Sequence, residues 1–253
     1  MTRKIALITG ASRGLGRNTA EHLAARGIDV IGTYHSKAEE ADAVAARLEQ
    51  AGVKAIMLQL DVSDSASFAG FAECLGATLQ QHFGRERFDF LVNNAGIGLN
   101  VPYTETSEAQ FDQLLNIQLK GPFFLTQRLL PLLVDNGRIV NISTGLARFA
   151  LPGVCRLCRD EGGDGGADPL SGQGTGSTWD SCEHSGAGGD RDRFWRRRGA
   201  GLTDRLMEYI AGNTALGRVG LPDDIGAAIA LLLEDGNGWI NGQRLEVSGG
   251  MFL

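Results

Sequence analysis

Ile5-Ala6-Leu7-Ile8-Thr9-Gly10-Ala11-Ser12-Arg13-Gly14-Leu15-Gly16 is the stretch on which the fold turns. Four apolar residues in a row before Thr9 suit a strand buried on both faces, since a strand covered on one side would alternate apolar with polar. Glycines at 10, 14 and 16 interrupt the run, and between Gly14 and Arg26 the residues Ala20, Leu23 and Ala24 recur at helical spacing. A buried strand, a glycine-rich turn and a helix, in that order, bring the free N–H groups of a helix N-terminus to the end of a strand. Glycine lets the backbone come close to a bound group there, and the helix end favours an anion such as a pyrophosphate.

The same alternation continues outward. Strands are expected at Asp29–Tyr34, Ala55–Leu60, Phe88–Asn93 and Gly137–Ser143. Helices are expected over Ala38–Ala51, from a cap at Ser63 to about Phe83, and over Ser107–Leu133 with a break near Pro122. Further on, Leu202–Ala211 and Pro222–Glu234 read as helices and Gln243–Val247 as a last strand. Strands alternating with helices imply a parallel sheet covered on both faces, so the fold class is α/β, a single Rossmann-like doubly wound parallel sheet spanning residues 1–253.

Composition agrees. Of 253 residues 43% are apolar and 21% charged, enough for one large core. The net charge of −6 argues against a general binder of nucleic acid or of anionic membranes, which needs a positive field. Four cysteines make no disulfide framework. Ile5–Ile8 is too short for a signal-peptide core, and no stretch approaches the ~18 apolar residues of a membrane span. A soluble, cytoplasmic protein is expected, with no nucleic-acid and no membrane partner.

The pattern fails between Val154 and Arg198. Only 11 of these 45 residues are apolar, ten are Gly, and no apolar run exceeds two residues. A buried parallel strand needs a near-continuous apolar run, and the printed residues supply none.

Thr9-Gly10-Ala11-Ser12-Arg13-Gly14-Leu15-Gly16 resembles the glycine pattern of the short-chain dehydrogenase/reductases, and further matches follow in order. Asp61-Val62 resembles the pair that contacts adenine. Asn93-Asn94-Ala95-Gly96 resembles the family's Asn-Asn-Ala-Gly motif, which lines the cofactor and steadies the sheet. Arg218-Val219-Gly220-Leu221-Pro222-Asp223-Asp224-Ile225, Asn241-Gly242-Gln243 and Val247-Ser248-Gly249-Gly250 resemble its C-terminal signatures. The resemblance covers residues 1–153 and 199–253. It implies hydride transfer between a nicotinamide cofactor and a carbonyl/alcohol pair, as in 3-oxoacyl-[acyl-carrier-protein] reductases, and a homodimer or homotetramer. Gly10, Ser12, Arg13, Gly14, Leu15, Gly16, Asp61, Val62, Asn93, Ala95 and Gly96 are then expected at the cofactor. Enzymes that use NAD(H) carry an acid after the second strand to bind the ribose hydroxyls. Here Tyr34-His35-Ser36-Lys37 holds no carboxylate, and Arg13 adds a cation in the glycine loop. NADP(H) is therefore expected, ahead of NAD(H).

The resemblance also implies a catalytic set: a Tyr with its proton-active hydroxyl, a Lys one helical turn on, a Ser that positions the carbonyl and an Asn in a proton relay. A phenol near pKa ~10 must be brought toward neutrality for this work. In Gly137-Arg138-Ile139-Val140-Asn141-Ile142-Ser143-Thr144 the Ser position falls on Thr144, beside Ser143. Counting back from Phe123 puts the relay on Gln118, which departs from the pattern; Asn116 is a nearby substitute. The Tyr and Lys registers fall on Leu157 and Glu161, which can serve neither role.

A reading-frame argument accounts for this. Cys155-Arg156-Leu157-Cys158-Arg159-Asp160-Glu161 can be encoded TGC CGC CTA TGC CGC GAT GAA, followed by G. Read one base later, it becomes GCC GCC TAT GCC GCG ATG AAG, or Ala-Ala-Tyr-Ala-Ala-Met-Lys. The Tyr codon stands in register with Leu157 and the Lys codon with Glu161. The shifted frame also permits an amphipathic helix over 164–174 and a strand over 180–189 that ends in Asn-x-x-x-Pro-Gly; the frame returns by Gly199. A compensated frameshift is thus the expected origin of the segment. It makes Cys155-x-x-Cys158 and Cys182-x-His184 accidents, so no metal is expected. The rival expectation takes the printed residues literally: a catalytically inactive NADP-binding protein, or a chain that cannot fold.

Overall fold

The computed structural model describes residues 3–99, 101, 103–144, 178–184 (backbone only) and 207–253. Seven strands form one parallel sheet: β1 (Ile5–Ile8), β2 (Asp29–Tyr34), β3 (Ala55–Gln59), β4 (Phe88–Asn93), β5 (Leu133–Thr144), β6 (Thr178–His184) and β7 (Gln243–Glu246). Their order across the sheet is β3-β2-β1-β4-β5-β6-β7. From β1 the chain winds outward to β3, then returns to β4 on the other side of β1. That reversal is the topological switch point, where a crevice opens beyond the strand ends.

Alternate residues of each central strand feed two cores. Ala6, Ile8, Val30, Phe90, Val92 and Val140 pack with Ala20 and Leu23 of α1 (Gly14–Ala24), Val44 and Leu48 of α2 (Ala38–Gln50), and Ile225 and Ile229 of α6 (Pro222–Leu232). Ile5, Leu7, Ile31, Leu91 and Ile139 pack with Phe68, Phe71 and Leu75 of α3 (Phe68–Thr78) and Leu125 and Leu129 of α5 (Gly121–Leu129). The consecutive apolar residues of β1 are explained by this double coverage.

Several boundaries differ from the sequence reading. Asp64, not Ser63, accepts the N–H of Ala66 at the turn leading into α3. Ser63 instead gives its hydroxyl to Asp61. β5 starts four residues earlier than Gly137, because Leu133 already pairs with Phe88; the register then shifts around Asn136, which adopts φ 64°. The helix over 107–133 does not break at Pro122. α4 (Glu108–Leu115) runs into a π-helical turn, Asn116–Lys120, and on into α5, with the Gly121 N–H bonded to the Asn116 carbonyl. Pro122 has no N–H to give, and widening the turn just before it absorbs the loss. Gly121 lies against the Val62 carbonyl, where a Cβ would clash.

The printed residues of 154–198 predict no strand, yet β6 pairs with β5 from Arg138↔Thr178 to Thr144↔His184 and with β7 from Asp180↔Gln243 to Glu183↔Glu246. Backbone groups drive this pairing: without β6, β5 and β7 would each lose a ladder partner, whatever side chains the strand bears. β6 overlaps the stretch that the shifted frame reads as a strand. The expected helix over 164–174 lies outside the described residues, as do residues 202–206 of the next one; helix is present at 207–212.

Polar contacts add to the apolar packing of α6 against the rest. Gly226 of α6 lies against Asn18 and His22 of α1, and Asp223 accepts from Asn18 Nδ2 at 2.5 Å and meets His22 Nε2 at 3.2 Å. Those bonds, Asn18 first, hold the Asp223 carboxyl below the usual range. Arg138 of β5 is buried, and its Nη1 donates to the carbonyls of Leu232 (2.7 Å) and Glu234 (2.6 Å) at the end of α6. A cation there satisfies open carbonyls and complements the helix dipole. Arg138→Met should cost about 2–4 kcal/mol, because it strands the buried Leu232 carbonyl and weakens the partly buried end of α6 at Glu234; urea denaturation followed by circular dichroism checks this, with a shift in midpoint at unchanged slope expected.

Candidate cofactor and active site

The crevice between β1 and β4 is built around one hydroxyl. Thr9 is buried, and its Oγ1 accepts the N–H groups of Asn94 and Ala95, both at 2.9 Å. Asn94 answers through Nδ2, which donates to the carbonyls of Thr9 (2.9 Å) and Gly10 (3.2 Å). Thr33 of β2 fixes the other side: its Oγ1 accepts from Gly10 N at 3.1 Å and its carbonyl from Ala11 N at 2.8 Å. The ends of β1, β2 and β4 are thereby tied together.

Glycine is required where this lock is tightest. Gly10 and Gly14 have φ of 68° and 56°. A Cβ on Gly16 would run into the Gly10 carbonyl and Asn94 Nδ2. α1 starts after Arg13, which is extended and makes no capping bond through its side chain, and the first turn holds no acid. Its N–H groups are thus open toward an anion. This cradle, closed to any Cβ, fits a dinucleotide.

The expected cofactor residues fall into distinct roles. Gly10, Gly14 and Gly16 form the cradle; Ser12 and Leu15 are half-buried, with Leu15 packed onto the α1 side of the core. Arg13 is exposed and pairs with no carboxylate among the described residues. Tyr34 is half-buried at the end of β2, and His35, Ser36 and Lys37 are exposed beyond it. Lys37 Nζ lies 3.2 Å from Glu40 Oε1, and His35 Nε2 lies 3.4 Å from Asp61 Oδ2. Partial burial pushes the Asp61 carboxyl up, but the bonds from Ser63 and the nearby His35 outweigh it and hold the group below its usual range. The family motif places Asn93 both at the cofactor and in the bracing of the sheet. Its side chain serves the sheet: Nδ2 donates to Thr126 Oγ1 (3.1 Å) and Asn141 Oδ1 (2.7 Å), which joins β4 to α5 and β5.

Of the residues expected at the catalytic end, three lie among the described residues. Gln118 sits buried in the π turn and donates from Nε2 to the Ile97 carbonyl at 3.2 Å. Its Oε1 fills the space beside Gly96, 2.8 Å from where a Cβ would stand. The longer arm of Gln is therefore used to hold the loop after β4. Asn116, four residues from Lys120, uses its carbonyl in the π turn. Ser143 is buried, with no partner for its hydroxyl among the described residues, and it follows Ile139 and Asn141 toward the α5 side. Thr144 ends β5 and is half-buried. Leu157 and Glu161 lie outside the described residues. Thr9, Thr33 and Asn94 escaped the sequence reading as working groups, although Thr9 and Asn94 stood in the quoted motifs; nothing in the composition near Thr33 points to its role. Among the described residues no cluster of His, Cys, Asp and Glu could hold a metal, and no helix is long and apolar enough to cross a membrane.

Comparison with known proteins bears directly on this geometry. The short chain dehydrogenase family profile matches residues 4–156. Tetrahydroxynaphthalene reductase PfmaG from Pestalotiopsis fici is 33% identical over 98% of this chain and 91% of its own. The 3-oxoacyl-[acyl-carrier-protein] reductase FabG of Staphylococcus aureus is 29% identical over 99% and 98%. Among solved structures, the angucycline C-6 ketoreductase LanV with bound NADP superposes with a TM-score of 0.88 at 30% identity, covering 98% of this chain and 95% of that one. The chain belongs to the short-chain dehydrogenase/reductase family, a family of oxidoreductases. Gly16→Ala should weaken dinucleotide binding by about tenfold or more, since overpacking costs about 1–3 kcal/mol. Gly70→Ala, where a Cβ meets nothing within 4 Å, should leave it unchanged; fluorescence titration with NADPH compares the two.

Proposed function

We propose that the protein is an NADP(H)-dependent ketoreductase and that residues about 154–198, as printed, are a compensated frameshift of its catalytic segment. The observation that carries the functional reading is the Thr9–Asn94 lock with its Cβ-free cradle at the switch point. The cofactor reading is supported by the absence of a carboxylate at 34–37, by Arg13 in the glycine loop and Lys37 after β2, and by the NADP held in the LanV structure. When bound, the nicotinamide supplies the hydride. The chain's own part is to receive the pyrophosphate on the N–H groups of α1, to seat the 2′-phosphate on Arg13 and Lys37, and to hold the carbonyl oxygen with the Thr144 hydroxyl. Ser143, buried on the α5 side, has the weaker claim to that last role. Gln118 secures the loop after β4 that carries Ala95 and Gly96.

The frameshift reading is supported by two independent boundaries. The family profile stops at residue 156, the third residue of the anomalous segment. β6 occupies 178–184 and overlaps the 180–189 that the shifted frame reads as a strand, although it begins at Thr178 and includes residue 179, where that frame places a turn glycine. Taken literally, Leu157 has no proton to give and Glu161 would repel the cofactor phosphates. Two of the relatives are named for polycyclic substrates, a tetrahydroxynaphthalene and an angucycline. A ring ketone of that kind is the substrate we infer. Phe123 and Phe124 stand exposed on α5, ring centroids 5.1 Å apart, which supports association as a homodimer or homotetramer. A cytoplasmic location is part of the same proposal.

Thr144→Ala should lower turnover by about a hundredfold and leave NADPH affinity almost unchanged, as expected for loss of a transition-state contact. A larger loss from Ser143→Ala would move the role one residue back. The segment is tested by intact mass and by ketone reduction: an active enzyme should carry the mass of the shifted-frame chain, and an active enzyme with the printed mass would overturn the reading.

A further inference from the structure

The last residues of the chain fold back on the segment that precedes α6. Ser143 of β5, Glu183 of β6 and Glu246 of β7 stand at one level across the sheet. The chain therefore leaves β7 level with Thr144, two strand spacings or about 10 Å away. Beyond that point it makes a hook, in which Gly249, Gly250 and Phe252 take φ of 63°, 77° and 55°. The Gly249 and Gly250 carbonyls accept the N–H groups of Leu216 and Ala215, both at 3.1 Å, and Phe252 N donates to the Asn213 carbonyl at 2.9 Å.

Met251 anchors the hook. It is fully buried, pairs with Thr214 in an antiparallel bridge, and packs with Ile210, Met207 and Val219 in a cluster separate from the two main cores. The segment it holds is a short helix over 207–212 followed by turns and bends. A helix of that length is not stable by itself and takes its place from what it packs on. Phe252, whose ring centroid lies 6.4 Å from that of Tyr209, holds a left-handed backbone that an aromatic residue seldom adopts. Such conformations persist where the surroundings fix them, and they cluster at ligand clamps. Leu253, by contrast, is 94% exposed.

We infer that Met251 is a positioning residue for the substrate end of the crevice: the hook that it anchors clasps residues 209–217 as a wall on the β7 side of the strand end that carries Thr144. Ligands of open parallel sheets bind beyond the carboxyl ends of the strands, and the hook lies at that end. The placement of the substrate beside this wall rests on the ketoreductase reading; the clasp itself does not. When the clasp opens, the wall is lost, and only the closed fraction of molecules binds. The apparent affinity for the ketone falls with that fraction, while the reaction in the molecules that have bound is unaltered. The dinucleotide cradle between β1 and β4 takes no part.

The test follows amide hydrogen exchange and ketone reduction in the full chain and three variants, with NADPH and the bicyclic ketone 2-tetralone. Met251→Ala should speed exchange at residues 209–217 about tenfold or more, through the cavity it leaves. It should raise KM for 2-tetralone about three- to tenfold at a kcat within about twofold. NADPH affinity and exchange in α1 should not change. Met251→Leu should restore both values, and Leu253→Ala should match the natural chain. Exchange at 209–217 that is unchanged in Met251→Ala overturns the clasp. A KM that stays constant while exchange rises overturns its place at the substrate end. A natural chain that does not reduce 2-tetralone overturns the ring-ketone reading and the placement at the substrate end with it; the exchange data still decide the clasp.

Discussion

Two backbone N–H groups, of Asn94 and Ala95, converge on the single oxygen of Thr9. At the switch point the chain leaves β1 and β4 toward opposite faces, so no helix crosses the crevice between them. The peptide groups that line it must be satisfied by side chains or be left open to a ligand. Thr9 and Asn94 divide that work: the hydroxyl accepts two donors and the amide donates to two carbonyls. What remains unsatisfied is the first turn of α1, and it faces the place where a phosphate is needed. The glycines follow from this arrangement, because an added Cβ at 16 would push apart the atoms that the lock draws together.

The opposite wall depends on a defect in a helix. The π turn at Asn116–Lys120 lets α5 carry Pro122 and brings Gly121 against the Val62 carbonyl. It also places Gln118 where its amide meets Ile97 and fills the space at Gly96. The loops after β3 and β4, both expected at the cofactor, are thus braced by one helical irregularity. Irregular turns of this type cluster at functional sites.

How much of this could be read from the chain depends on how local the cause is. β1, the glycine turn and α1 were legible because burial on both faces leaves an unbroken apolar run and the cradle needs residues without a Cβ. The parallel sheet followed from the alternation of strand and helix. The start of β5 was not legible, since Leu133 pairs across a register shift that no periodicity records. The π turn reads as a break in the sequence, because Pro122 advertises a lost hydrogen bond but not where the helix absorbs it. Asn93 shows the limit of a motif. Its place in Asn-Asn-Ala-Gly was plain, but only the pairing Asn93↔Asn141 and the neighbouring Thr126 commit its side chain to the sheet. β6 is the sharpest case. The printed residues give no apolar run, and the strand is defined by the two ladders waiting on either side.

The seam between α1 and α6 joins residues about two hundred positions apart. Asn18 and His22 meet Asp223, and Gly226 lets the two helices close to contact. During synthesis α1 emerges early, yet the surface it presents to α6 stays bare until residues 222–232 leave the ribosome. Among the described residues, the core that α3 and α5 make with β1, β2, β4 and β5 has no such wait, for all of its members lie before residue 145. The core under α3 and α5 can therefore consolidate co-translationally, while the surface of α1 that α6 covers must stay open, with apolar groups exposed to chaperones and to aggregation, until the end of the chain arrives.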